Sequence, residues 1–483
     1  MISRIRMLEL REKLMTAEDA ARLISDGMTV AVSGFTAVGY PKAVPLALAK
    51  RAENGEKLTI NLISGASVGD ELDGALARTG CIDRRYPYQT NNDLRKMINA
   101  GAVRYVDMHL SQVPYWIRHG YFGKLDVAII EAAAIDEQGG IIPTAAVGCS
   151  DAAVNCAEKV IVEINTCIPE GIEGLHDIYT PEKIPNTKPI PITKPAGLIG
   201  RPSIPCDPAK IAAIVFCDIP DGNKELQPAD ETMQAIAAHL TAFLKKEVNA
   251  GRLPSPLPPL QSGVGGVANA VLSCLEQSDF EDLTVYTEVM QDAVLRLIDK
   301  GKVKCASATA LTLSPSLKEQ LYSRIEQYRG RIVLRPMEIS NAPEVIRRLG
   351  VIAMNTALEA DLSGNVNSTH VGGTKLMNGI GGSGDFARNA GLTIFTTAST
   401  AKNGTLSCIV PQVSHVDHTE HDVHVLITEY GVADLRGLTA WERAEVIIDH
   451  CAHPNFRGEL REYLQRAKKT PGAKHALPAP GSF

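Results

Sequence analysis

Apolar residues along the chain come in short continuous runs separated by segments of helical length. Met28–Ser33, Leu58–Ser64, Tyr105–Leu110, Leu125–Ile130, Lys159–Ile164 and Ile211–Phe216 lack the alternation of a half-exposed strand and read as strands buried on both faces. Between them lie helix signals. Thr16 followed by Asp19 has the form of a helix start, with Gly27 closing that helix before the first strand. After the strand come Gly34, Gly39 and Pro41, then the apolar segment Ala43–Ala49. This alternation of strand, glycine turn and helix predicts a mainly parallel sheet covered by helices on both sides.

The pattern breaks between Asn165 and Asp207, where eight prolines from Pro181 to Pro208 forbid a long helix and a central strand, which predicts an excursion over the surface. The first unit closes near Asp218–Gly222. Asp230–Val248 is amphipathic, with Ile236, Leu240, Phe243 and Leu244 on one face, and a proline-rich bridge, Leu253–Leu260, leads into a second unit of the same style. Its predicted strands are Leu283–Thr287, Ile332–Leu334, Val351–Met354, Leu392–Phe395 and Val423–Ile427, with a helix over Ser316–Tyr328. The expected architecture is α/β: two related open α/β domains with mainly parallel sheets, residues 1–222 and 223–483, the second carrying Glu288. In such sheets ligands gather outside the carboxyl ends of the strands.

Composition narrows the class. A chain of 483 residues with 45% hydrophobic and 22% charged positions holds two or three globular units and is neither disordered nor fibrous. The net charge of −6, without a basic block, argues against nucleic acid as a partner. The uncharged stretch Leu253–Leu275 is long enough to span a bilayer, but its prolines and glycines forbid one continuous helix, so no membrane partner is expected. The charged N-terminus has no apolar signal core, and a cytoplasmic protein is expected. The 10 cysteines show no Cys-x-x-Cys spacing, which disfavours a zinc ribbon and a disulfide framework.

Two glycine clusters and one glutamate carry the candidate chemistry. Asn378–Phe386 has four glycines within six residues and exposes consecutive backbone N–H groups, the makings of an anion nest or an oxyanion hole. Gln261–Val267, with Gly263, Val264, Gly265, Gly266 and Val267, opens the apolar helix Ala268–Leu275, whose first amides suit a phosphate or thioester oxygen. Neither has the spacing of a P-loop or a dinucleotide fingerprint. Glu288 ends a strand, where a parallel sheet presents side chains to its ligand; with two sets of N–H donors it would make the apparatus of covalent acyl transfer. His415, His418 and His421 recur every three residues beside Asp417 and Glu420. That spacing is not the i, i+4 pair of a helical zinc site, and the reading preferred is a supporting turn with no metal. Serine and cysteine hydrolases are disfavoured, because no Gly-x-Ser-x-Gly elbow exists and only Cys451 lies near histidines. Lys402 stands on a turn, where a phosphate or simply water would be its partner.

The segments Val285–Val289, Glu338–Asn341, Asn367–His370, Asn378–Phe386, Ser414–His421 and Ala433–Gly437, with Val32–Phe35 and Arg85–Thr90, resemble those of the acetyl-CoA hydrolase/transferase family of class I CoA-transferases, and most closely its succinyl-CoA:acetate and propionyl-CoA:succinate CoA-transferases. The resemblance implies a homodimer of α/β domains that moves CoA from an acyl-CoA to a small carboxylic acid, with no cofactor beyond CoA as substrate. It implies that Glu288 becomes a glutamyl-CoA thioester, that the N–H groups of Val264 and Gly382 are oxyanion donors, that Asn341 lies beside the reacting carboxylate, and that Gly382, Lys402 and the Gly263–Val267 segment bind CoA. Relatives commonly carry Asn where this chain has Gly266. Hydrolysis of acyl-CoA by the same residues is the alternative activity. A non-catalytic CoA-binding regulator would be favoured by a Gln at 288 or a broken glycine loop, and this chain has neither.

Overall fold

The computed structural model describes residues 1–470, 472 and 475–478, apart from 224, 226, 227 and 264. The chain packs as two compact units, each gathered from several stretches. The first is Met1–Glu225, Tyr286–Asp292 and Cys305–Arg348; the second is Leu226–Val285, Ala293–Lys304 and Leu349–Phe483. The packing does not follow the chain: Glu288 and Asn341 lie beyond residue 222 in sequence yet belong to the first unit.

The main sheet of the first unit comprises β1 (Thr29–Val32), β2 (Ile60–Ile63), β3 (Ile82–Tyr86), β4 (Arg104–Tyr105), β5 (Val127–Ile135), β6 (Ile141–Pro143), β7 (Lys159–Asn165) and β8 (Ile211–Cys217). Its order is β4-β3-β2-β1-β5-β7-β8, parallel throughout, with β6 antiparallel on β5. Every residue of β1 and β5 is buried, and β5 runs past the predicted Ile130 through the buried Glu131 to Ile135. Val30, Val32, Ile60, Leu62, Val127 and Ile129 meet Leu48 and Leu72 in one core. The first helix is capped as expected, Thr16 Oγ1 accepting from Asp19 N at 3.1 Å.

Two features depart from the expected pattern. The Tyr105–Leu110 strand is only a two-residue edge, after which the chain turns away before the helix Gln112–Arg118. β3 was hidden in the sequence by its charges. Its Arg85 is fully buried because Asp73 takes its guanidinium in two hydrogen bonds of 2.9 Å, which makes a charged residue tolerable inside a sheet. The proline-rich excursion is irregular and runs over the surface as expected, residues 182–189 all being exposed, but Ile178, Ile190, Ile192 and Ile204 are buried and anchor it to the unit.

In the second unit the strands run Leu283–Tyr286, Leu260–Ser262, Ile352–Thr356, Leu392–Thr396, Val425–Thr428 and Gly431–Asp434, parallel except for the last pair. The mainly parallel α/β fold expected for both halves is present. The predicted helix over Ser316–Tyr328, in the first unit, breaks at Arg324 into Pro315–Ser323 and a 3-10 turn. Among the described residues no helix is long and apolar enough to cross a membrane.

The long helix Glu231–Asn249 buries Ile236, Leu240, Phe243 and Leu244 as its periodicity predicts, and near its end also buries Glu247. Arg252 donates to both oxygens of that carboxylate at 2.5 and 3.0 Å, and Arg436 donates at 2.8 Å, tying the helix to the edge strand Gly431–Asp434. These arginine contacts outweigh the desolvation and hold Glu247 at about 2. A pKa depressed on folding stabilises the protein above the ordinary range near 4.5, and that stability is lost as pH falls toward 2. Glu247→Gln should therefore cost on the order of 2 kcal/mol at pH 7, allowing for the partial exposure of both arginines. The difference between the two proteins in denaturant unfolding should shrink steadily from pH 4.5 to pH 2.5; a difference independent of pH would refute the assignment.

Candidate active site

Glu288 stands two residues beyond the end of the strand Leu283–Tyr286, after Thr287, and its backbone is fixed from one side by hydrogen bonds to Ser307 and Thr309. Thr287 N donates to Ser307 O and Thr309 N donates to Glu288 O, both at 2.9 Å, before Val289–Met290 pairs with Ala310–Leu311. The half-buried carboxylate accepts a hydrogen bond at Oε2 from Asn341 Nδ2, 2.7 Å away. Asn341 itself is fully buried.

The two residues are also joined through the backbone. Thr309, whose N–H holds the Glu288 carbonyl, accepts from Gly148 N at its hydroxyl (3.0 Å). Gly148 O accepts from Met337 N, and Met337 O accepts from Asn341 N, each at 2.9 Å. Hydrogen bonds thus lead from Glu288 through Thr309, Gly148 and Met337 to Asn341, whose side chain returns to Glu288. Only glycine suits position 148: φ is +55°, and a Cβ there would stand 3.0 Å from Gly34 O.

The short helix Met337–Ser340 that presents Asn341 is held at each step. Tyr286, fully buried, donates its hydroxyl to Ile339 O at 2.5 Å. Arg335, just before the helix, pairs with buried Asp177 and donates to Ser307 Oγ at 2.8 Å and Gly197 O at 2.7 Å, so the proline-rich excursion is fastened at the same place. Glu338 receives both terminal nitrogens of Arg118, Nη2 to Oε1 at 2.5 Å. Burial opposes the charge on Arg118, but the bond to Glu338 outweighs it and raises the guanidinium above its ordinary range. Burial, joined by the charge of Glu338, pushes Asp151 up to about 6.

A second polar cluster fixes the turn after β1. Lys42 is fully buried, 2.5 Å from Glu131 and 3.0 Å from Asp221, while Glu163 accepts from the N–H groups of Lys42, Ala43 and Val44 at the start of the helix Ala43–Glu53. Burial lifts Glu131 to about 7 against the opposing pull of Lys42. In the turn itself, Thr36 and Ala37 adopt φ of 49° and 61°, a conformation that costs energy for residues with a side chain and that this framework maintains.

The other sequence-predicted residues lie in the second unit. Gly263 N donates to Met354 O at 2.9 Å, and Gly265, at φ +124°, precedes the helix Gly266–Leu275, which includes Val267. Val264 lies outside the described residues. A side chain at Gly266 would begin in tight contact with Met233, whose sulfur and methyl lie 3.0 Å from the Cβ position. Gly382 is buried and precedes the helix Ser383–Ala387. Lys402 is exposed in the turn between Thr400–Ala401 and Leu406–Ser407, with φ of 48°.

The three histidines do not share a focus. His418 is buried, its Nε2 3.0 Å from Ser383 Oγ, beside the glycine cluster. His415 lies 3.4 Å from Asp417 and 4.1 Å ring to ring from His370, and His421 is exposed. Among the described residues no group of three or more His, Cys, Asp or Glu side chains has the arrangement of a metal site.

Sequence reasoning singled out Glu288 from its strand-end position and reached Asn341 through resemblance. It missed Ser340, Thr309 and the Arg118–Glu338 pair. A cation closing the otherwise apolar run Val113–Ile117 and an acid within Met337–Ile339 were the available signals of buried partners.

Residues 3–216 match the acetyl-CoA hydrolase/transferase N-terminal domain, and residues 318–464 match the C-terminal domain. The chain is 52% identical to a succinyl-CoA:acetate CoA-transferase from Clostridium kluyveri over 97% of its own length and 87% of the relative's. It is 47% identical to an acetyl-CoA hydrolase from Schizosaccharomyces pombe over 96% of its length and 92% of the relative's. The crystal structure of RipA from Yersinia pestis resembles it with a TM-score of 0.73 and 26% identity, over 95% of this chain and 97% of that one. Two family domains and full-length relatives on one α/β fold make this chain a member of the acetyl-CoA hydrolase/transferase family, a family of enzymes.

Proposed function

We propose that the protein is a CoA-transferase that moves CoA from a small acyl-CoA to a small carboxylic acid, with Glu288 as the nucleophile. The observation that carries the reading is the Glu288 carboxylate held by Asn341 at 2.7 Å, at the end of a strand. The transferase from Clostridium kluyveri supports the activity.

The chemistry follows from what a carboxylate nucleophile does. Glu288 attacks the acyl-CoA carbonyl; the carbon–sulfur bond breaks, giving an acyl-glutamyl anhydride and CoA thiolate. The thiolate attacks the glutamyl carbonyl and expels the acyl group as its carboxylate, leaving a glutamyl-CoA thioester. A second carboxylate attacks that thioester, and the two steps run in reverse to release the new acyl-CoA and restore Glu288. An anhydride preserves the energy of the thioester, whereas a serine would trap the acyl group as a less activated ester. In this reading Asn341 steers the carboxylate. The backbone N–H groups of Val264 and Gly382 stabilise the oxyanion. The Gly263–Val267 segment and Lys402 contact CoA, the chain works in the cytoplasm as a homodimer, and no metal takes part.

The likeness to an acetyl-CoA hydrolase supports a second outcome for the same thioester, attack by water. Transfer and hydrolysis separate in one assay. With acetyl-CoA and succinate, succinyl-CoA should form without net release of free thiol. Rapid thiol release from acetyl-CoA alone, unaffected by added succinate, would instead establish the hydrolase.

Glu288 is tested by two variants. Glu288→Gln keeps the shape and loses the nucleophile, and should abolish turnover. Glu288→Asp withdraws the carboxylate by one methylene and should lose on the order of 10²-fold, the cost of a misplacement of ~1 Å in a positioned reaction. Wild-type protein incubated with acetyl-CoA alone should carry a CoA adduct on the peptide containing Glu288, read by mass spectrometry. An adduct on another residue would overturn the assignment.

A further inference from the structure

Ser340 lies between the helix that presents Asn341 and the side-chain amide itself. Its hydroxyl is 2.7 Å from Asn341 Oδ1 and 3.3 Å from Met337 O. Met337 O already accepts the Asn341 N–H at 2.9 Å, so the single hydroxyl proton serves the shorter bond, to the amide oxygen. Ser340 is fully buried, and bulk water does not reach the hydroxyl to replace it.

An asparagine amide has two faces of nearly equal shape and opposite hydrogen-bonding sense. Turned over, Asn341 would place its carbonyl oxygen 2.7 Å from Glu288 Oε2, two acceptors in contact, while its NH2 met the Ser340 hydroxyl. With Glu288 neutral that arrangement is tolerable, because a protonated carboxyl donates to the carbonyl. With Glu288 ionised it is repulsive. We infer that Ser340 is a positioning residue that locks the Asn341 amide with its NH2 toward Glu288 and so selects the ionised carboxylate. The inference rests on the reading of Glu288 as the nucleophile. The locked orientation suits every stage of that reaction, because the carboxylate, the anhydride carbonyl and the thioester carbonyl are all acceptors.

The test is a double-mutant cycle on the full chain, with acetyl-CoA and succinate. Ser340→Ala should lower kcat by about tenfold, the effect of one buried hydrogen bond, with KM for acetyl-CoA nearly unchanged. The acid limb of its kcat/KM profile should move to higher pH, because an amide free to turn no longer favours the ionised acid. Arg118, Glu338 and Asp151, the pair of Arg335 with Asp177, and Asp292 on the Glu288 segment keep their contacts in this variant, so the limb reports Glu288. In an Asn341→Ala background, removal of Ser340 should cost less than about twofold, since the hydroxyl then has no amide to orient. Ser340→Cys, with a weak donor, should fall between wild type and Ser340→Ala, and it carries the cycle if the alanine variant does not fold. Additive losses, or an unmoved acid limb, would overturn the role of Ser340 while Glu288→Gln remained inactive. A Glu288→Gln protein as active as wild type would remove the nucleophile reading and this inference with it.

Discussion

The hydrogen bond from Asn341 to Glu288 sets the terms for the first unit. A cation in that place would grip the carboxylate more tightly, but it would quench the lone pairs that the proposed attack uses. Once the glutamate became an anhydride or a thioester the cation would face a neutral group, and a buried charge stripped of its partner is costly. A neutral amide donor avoids both penalties and serves each state of the reaction proposed here. The weakness of a single neutral hydrogen bond is its drawback, since it orients a group only if its own donor is rigid. That explains why the surroundings of Asn341 fix its backbone, its helix and its amide separately.

Charge appears one step further out. Arg118 with Glu338, Arg335 with Asp177, Arg85 with Asp73, and Lys42 with Glu131 and Asp221 are all buried pairs. Such pairs contribute little net stability, because desolvation consumes most of the Coulombic gain, but each tolerates few geometries. Arg335 fastens the proline-rich excursion to the base of the Asn341 helix, and Arg118 grips that helix from Gln112–Arg118. The cluster around Lys42 likewise fixes the turn that follows β1. The loops at the strand ends are therefore anchored by interactions with strict geometry, while the apolar core supplies the stability.

The fold was legible wherever an element could be recognised from its own residues. The buried parallel strands announced themselves as unbroken apolar runs, and Thr16 and Asp230 cap the helices they precede. β3 was not legible, because Asp83, Arg84 and Arg85 interrupt it and the partner that neutralises Arg85 lies 12 residues earlier. The site divides in the same way. Glu288 could be suspected from its strand end alone, but Asn341 is 53 residues away and the Arg118–Glu338 contact spans 220. No local pattern encodes a pairing at such distance; only the packing of the unit brings it about. In the histidine triplet, too, neighbours in sequence have different partners: His418 meets Ser383 and His415 lies beside Asp417.

Gly266 shows how a helix start packs where no side chain stands. A Cβ there would stand 3.0 Å from the sulfur and methyl of Met233, so the thioether would have to give way slightly. Met233 lies in the first turn of the helix Glu231–Asn249, whose cap Asp230 accepts its N–H at 2.8 Å, so the backbone is fixed while the side chain remains free to adapt. Methionine fills irregular gaps well because its unbranched chain has several accessible rotamers. Met233 thus packs against the bare backbone at Gly266. Before the helix that begins at Gly266, Gly263 is tied to Met354 and Gln261 to the same strand through Met354 N and Asn355, contacts made by backbone and by residues other than 266, so a change of side chain at 266 leaves them in place.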